Sequence, residues 1–170
     1  MKHKRILAMI LAVASCLSLA VGASAANTTT RKATDFRDYD RTAWYAEAVS
    51  AAVDNGLLYG KSSTIIDPNG DMTRAEMAAI INRSFGCYVK ADISKYTDVS
   101  KDKWYFEDVA MAVQMGTYNG RSNTAMAPDA PITRQEAMTV VARALELDYD
   151  AYAKTDLSAF SDRSEISNWA

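Results

Sequence analysis

Apolar positions follow two different rhythms along this chain. Residues 6–21 are almost continuously apolar, interrupted only by Ser15, Cys16 and Ser18. From residue 44 onward the rhythm becomes helical. Trp44, Ala48, Val49, Ala52 and Val53 predict a helix over 44–55, stopped by Gly56 in the position just past a helix end. The stretch LLYGKSSTIIDPNGD at 57–71 interrupts it. Gly60, Pro68 and Gly70 rule out a long helix there, and STII at 63–66 suits a short extended piece. A second amphipathic run begins at Thr73, with Met77, Ile80, Ile81 and Ser84 predicted on its inner face and Gly86 as its stop. Thr73 and Glu76 have capping-box spacing, in which each side chain satisfies a free backbone N–H at the helix start.

The whole pattern returns sixty residues later without a gap. Asp38 pairs with Asp98, Trp44-Tyr45 with Trp104-Tyr105, and Glu47 with Glu107. Gly56, Gly60 and Pro68 pair with Gly116, Gly120 and Pro128, and TRAE at 73–76 pairs with TRQE at 133–136. A third copy begins in FSDRSEISNWA at 160–170, where Phe160, Asp162 and Trp169 take the places of Phe36, Asp38 and Trp44 with one extra residue. The sequence given stops inside that motif, so it is expected to be a fragment of a longer protein. Two short helices with one apolar stripe each cannot bury a core alone. The repeats are therefore expected to pack on one another, three closing a unit better than two.

The N-terminal run reads as an export signal. Lys2, Lys4 and Arg5 precede it, and Ala23-Ser24-Ala25 supplies a small-residue cleavage site, placing the cut after Ala25. A transmembrane anchor would need a longer run. VASC at 13–16 offers the alternative of lipoprotein processing at Cys16, but the mostly apolar LSLAV that would follow is a poor tether. The expected organisation is a signal peptide over 1–25, a linker over 26–34, repeats over 35–92 and 93–155, and the start of a third over 156–170.

Composition then narrows the chemistry. The formal charge is −2, and loss of the three cations of the signal takes it to about −5, so nucleic acid has no electrostatic footing. The mature chain also loses His3, the only histidine, and Cys16, leaving Cys87. An internal disulfide, zinc sites and histidine-based triads are thereby excluded. Cys87 is expected to be buried as a small hydrophobe. DPNGD at 67–71 lacks the spacing of a calcium loop, and its counterpart APDAP holds one carboxylate. The acidic residues recur with the repeat rather than clustering, which argues against a glycosidase pair. No metal and no cofactor is expected. Met77, Met111 and Met138 are expected to fill the core.

The odd feature is an arginine, Arg74 and again Arg134, at a helix start, where the dipole disfavours a cation. Either each one receives an anion together with the helix N–H groups, or each turns aside to a neighbouring carboxylate. Trp44 and Trp104 suit either a core anchor or an exposed flat face for a ligand. Asp38 and Asp98 either order a turn or accept hydrogen bonds from a ligand. Gly60 and Gly120 allow a positive-φ turn or close backbone approach to a ligand. Arg83 and Arg143, farther along the second helix, are expected to be solvated.

The ordered set Phe36-x-Asp38, Trp44, Gly56, Gly60, Pro68 and TRAE, repeated behind an export signal, resembles the S-layer homology (SLH) domain. The resemblance implies an all-α fold of tandem helix-loop-helix repeats in a pseudo-threefold bundle, here with the third repeat truncated. It implies non-catalytic anchoring of an exported bacterial protein to the cell wall. The implied partner is a secondary cell-wall polysaccharide, often pyruvylated, or peptidoglycan. Sugar would lie in grooves between repeats, with the TRAE arginine as a contact. Arg74, Arg134, Trp44, Trp104, Asp38, Asp98, Gly60 and Gly120 are the ligand-binding candidates on this view. No membrane span is expected in the mature chain. C-terminal domains are expected beyond it: a surface enzyme such as a glycoside hydrolase, an S-layer lattice, or an outer-membrane β-barrel.

Overall fold

Four short helices carry the architecture of the computed structural model, which describes residues 31–148 and 156–170. The expected signal peptide, Cys16 and most of the linker lie outside the described residues. The helices are α1 (Ala46–Asp54), α2 (Arg74–Phe85), α3 (Phe106–Gln114) and α4 (Arg134–Ala144). Two 3-10 turns, Ala33–Asp35 and Arg163–Glu165, flank them. Among the described residues no strand forms, and the architecture is all-α; one antiparallel bridge joins Thr73 to Pro131.

The second helix of each repeat starts where its cap dictates. The Thr73 hydroxyl accepts from the Glu76 amide at 3.2 Å, and the Glu76 carboxylate accepts from the Thr73 amide at 2.8 Å. Thr133 and Glu136 repeat this at 3.3 and 2.9 Å. Gly86 ends α2 at φ 64, a conformation that glycine adopts without steric cost.

The packing departs from the sequence expectations in several places. Helix α1 begins at Ala46, leaving Trp44 outside it and 91% exposed. The buried face of α2 is Arg74, Ala75, Ala78, Ala79, Ile81 and Asn82, while Met77 and Ile80 are half-buried and Ser84 is exposed. The cause is that α2 contacts both α3 and α4, and alanines let those helices approach closely. Met138 is exposed, whereas Met126, in the second loop, is fully buried. Cys87 is half-buried, its Sγ 3.2 Å from Met115 Sδ. Residues 63–66 form no strand; the Ile65 carbonyl instead accepts the Lys61 amide at 2.8 Å in a tight turn. Ala33, within the expected linker, is buried with Phe36, Val53 and Ile66.

The main core crosses the repeat boundary. Ala75, Ala78 and Ile81 of α2 pack with Tyr105, Val109 and Met126 of the second repeat. Asn82 reinforces the crossing by donating to the Asp108 carbonyl at 2.8 Å. A smaller cluster of Ala33, Phe36, Val53 and Ile66 serves the first repeat, so α2 reaches across the boundary to share the core of the second, as repeat units that pack on their neighbours do.

Candidate ligand-binding grooves

Each repeat builds its groove in the same way. Phe36 and Tyr96 pack beneath the loop, and a Cβ on Gly60 or Gly120 would lie 2.5 or 2.7 Å from the respective ring. The glycines also hold φ 81 and φ 75. The positive φ and the close ring account for glycine at the turn, and each glycine also lines its groove. Asp38 accepts the amides of Ile66 and Asp67 at 3.0 and 2.8 Å; Asp98 accepts those of Met126 and Ala127 at 2.9 and 2.7 Å. These hydrogen bonds hold the Asp38 pKa below the usual carboxylate range, led by that from Ile66. They clamp Asp67 and Ala127 in left-handed backbone, at φ 55 and φ 53. Asp38 and Asp98 thus shape the loops and line neither groove.

The groove of the second repeat has a volume of about 490 Å³. Arg74, Arg121, Arg143, Glu136, Tyr118 and Trp169 are among its walls. Arg74 enters it from the first repeat. Its guanidinium donates to Glu136 Oε1 at 2.9 Å and through Nε to the Met126 carbonyl at 3.0 Å, and its Cζ lies 5.0 Å from the centre of the Tyr118 ring. Tyr118 completes the cage, its hydroxyl donating to the Arg74 carbonyl at 2.9 Å. Arg74 is only 5% exposed. The free amides expected beside it are also taken: those of Arg74 and Ala75 donate to the carbonyls of Ala130 and Pro128 at 3.0 and 2.9 Å. At this helix start the second alternative holds: Arg74 turns to a carboxylate and the amides beside it are occupied, although its side chain still lines the groove.

Glu136 is the hub. Besides capping α4 and pairing with Arg74, it accepts from Arg121 Nε at 3.0 Å and Nη2 at 3.1 Å. Burial alone would raise its pKa, but the hydrogen bonds from Arg121 and Thr133 and the Arg74 charge bring it down to about 2. Glu136 is therefore ionised at neutral pH, and three guanidiniums and one carboxylate line this groove. Arg143, expected to be solvated, instead donates to the Thr117 carbonyl at 3.3 Å and lines the groove.

The groove of the first repeat has a volume of about 520 Å³. Its counterpart pair is Lys61 with Glu76, at 2.7 Å. Arg83 donates to the Leu57 carbonyl at 3.0 Å and lies 4.2 Å from the centre of the Tyr59 ring, so it too is engaged rather than merely solvated. Trp104, 60% exposed, is the wall contributed by the next repeat. Trp169, 56% exposed, does the same for the second groove.

The structure thus brings Arg74 and Gly120 into one groove and Gly60 and Trp104 into the other. Trp44 and Arg134 line neither, and Arg134 is exposed with no ion pair among the described residues. Sequence reasoning missed Arg121, Glu136, Arg143 and Trp169 as groove residues. For Trp169 the signal was present, since it occupies the register of Trp44 and Trp104. Among the described residues no helix is long and apolar enough to cross a membrane.

Comparison with known proteins agrees with this architecture. A family profile described as the S-layer homology domain matches residues 35–78 and 95–138. The chain is 33% identical over 139 residues to the Surface-layer 125 kDa protein of Lysinibacillus sphaericus, covering 81% of this chain and 11% of that protein. It is 26% identical over 170 residues to an Endoglucanase of Bacillus sp. (strain KSM-635), covering 98% of this chain and 18% of the relative. It is 28% identical over 141 residues to an Amylopullulanase of Thermoanaerobacterium thermosulfurigenes, covering 78% of this chain and 8% of the relative. The chain therefore spans less than a fifth of the length of these relatives.

Proposed function

Because the chain belongs to the S-layer homology family, a family of non-catalytic anchoring modules at the bacterial cell surface, we propose that it holds its protein to the wall by binding an acidic secondary cell-wall polysaccharide. The supporting observation is the composition of the second groove, which is lined by three guanidiniums, a single carboxylate and an exposed indole. Arg74 is fixed by its cage, and Glu136 holds Arg121 in place. A sugar-borne carboxylate, such as a pyruvate ketal, meets donors that are already oriented, which lowers the ordering cost of binding. Trp169 covers the apolar face of the ring. The volume lies within the range of small-ligand sites.

In this assignment Arg74, Arg121, Arg143, Gly120 and Trp169 form the acidic-sugar site. Trp104 and Gly60 belong to the first groove, and Asp38 and Asp98 support the loops. The test is retention on purified sacculi carrying pyruvylated polysaccharide. Arg121→Ala combined with Arg143→Ala is expected to abolish retention without unfolding the protein. Undiminished retention by that variant would refute the assignment.

The enzyme relatives support a second proposal about the whole protein, of which this chain is one part. The same module stands in an endoglucanase and an amylopullulanase that are much longer than this chain. A surface hydrolase tethered by these repeats and a surface-layer protein are both compatible with the anchoring role.

A further inference from the structure

The two grooves are built on one plan but differ in charge and polarity. Thr117, Asn119 and Thr139 of the second groove correspond in the sixty-residue register to Leu57, Tyr59 and Ala79, of which Tyr59 and Ala79 line the first groove. Ala127 and Pro131 of the second loop correspond to Asp67 and Asp71, both walls of the first groove. The first groove therefore carries two cations against three carboxylates, a balance opposite in sign to the three cations and one carboxylate of its partner.

Its cations are also engaged. Lys61 Nζ donates to Glu76 and, at 2.9 Å, to the Asp71 carbonyl. Arg83 is held by the Leu57 carbonyl and the Tyr59 ring. Among the described residues, no hydrogen bond or ion pair involves the side-chain carboxylates of Asp67 and Asp71. Two exposed aromatic rings, Tyr59 at 57% and Trp104 at 60%, line the same space.

We propose that the first groove is a second saccharide site of opposite preference, taking an uncharged, hydroxyl-rich pyranose while the second groove takes the acidic one. Asp67 and Asp71 accept hydroxyl donors and repel a carboxylate; Tyr59 and Trp104 pack on the ring faces. The inference rests on the assignment of the grooves to saccharide and adds a division of labour between them. One polymer carrying both kinds of residue would then engage both grooves, gaining by effective concentration.

All three tryptophans are exposed, so each groove can be given its own reporter. Trp44→Phe with Trp169→Phe leaves Trp104; Trp44→Phe with Trp104→Phe leaves Trp169. The probes are trigalacturonate and its fully methyl-esterified, uncharged form, which share one skeleton, titrated by fluorescence. The Trp104 reporter is expected to favour the ester by about tenfold and the Trp169 reporter the acid by about tenfold, the scale of one charge-assisted hydrogen bond. Asp67→Asn with Asp71→Asn is expected to admit the acid at Trp104, a gain that misfolding cannot mimic. Acid preferred at both grooves, or the ester bound at Trp169 as well as at Trp104, overturns the division while leaving saccharide binding intact. Silence of both reporters with both probes contradicts the saccharide assignment itself.

Discussion

Arg74 of the first repeat and Glu136 of the second stand 2.9 Å apart, with side chains 6% and 13% exposed. The pair joins the start of α2 to the start of α4 across sixty-two positions of sequence. Removing Arg74 leaves Glu136 its Arg121 partner but takes away a buried cation, its packing on Tyr118 and the donor to the Met126 carbonyl. Arg74→Ala is expected to lower unfolding free energy by about 3 kcal/mol, while Arg134→Ala at the exposed equivalent position changes it by less than about 0.5 kcal/mol. Urea unfolding of both variants checks this, and equal effects would contradict the inter-repeat role of Arg74.

Acid should loosen the same junction. The folded pKa of Glu136 is about 2 against an ordinary 4.5, so its contribution is complete above about 4.5 and is lost as pH falls toward 2. Thermal melts should show Tm falling through this window more steeply in the wild type than in Glu136→Gln. Parallel pH profiles would show that the pair does not govern acid stability.

Glycine positions separate turn geometry from steric contact. Gly120→Ala meets the Tyr96 ring at 2.7 Å and the Ser122 carbonyl at 2.8 Å, in addition to a φ of 75. It is expected to cost about 2–3 kcal/mol. Gly86→Ala, at φ 64 with nothing within 4 Å, is expected to cost about 1 kcal/mol. Denaturation midpoints of the two variants give the comparison.

Asp98→Ala removes the acceptor of two amides that hold the left-handed turn at Ala127. It is expected to destabilise by about 2 kcal/mol. Binding per folded molecule should fall less than with Arg121→Ala, since Asp98 lines neither groove. Calorimetry at a temperature where both variants remain folded tests that order.

The local chemistry of this fold was legible in the sequence. Thr73 with Glu76 and Thr133 with Glu136 mark their helix starts, Gly56 and Gly86 mark ends, and the register of the repeats announces packing between units. What could not be read is which residues meet across the repeat boundary. The partners of Arg74, Met126 and Glu136, lie 52 and 62 positions away. A helix-start argument about Arg74 sees the dipole and the free amides but not the loop that covers them. The same blindness rotated the inner face of α2, because a single stripe of apolar residues cannot show that two helices flank it. Arg83 and Arg143 looked solvated for a similar reason: their acceptors, the carbonyls of Leu57 and Thr117, belong to the turn after the preceding helix.

Wall retention tests the central claim most directly. The full-length protein should sediment with purified sacculi and remain in solution when the sacculi have been stripped of secondary polysaccharide, with free acidic wall oligosaccharide competing for the intact sacculi. Equal sedimentation with stripped and intact sacculi would contradict the account.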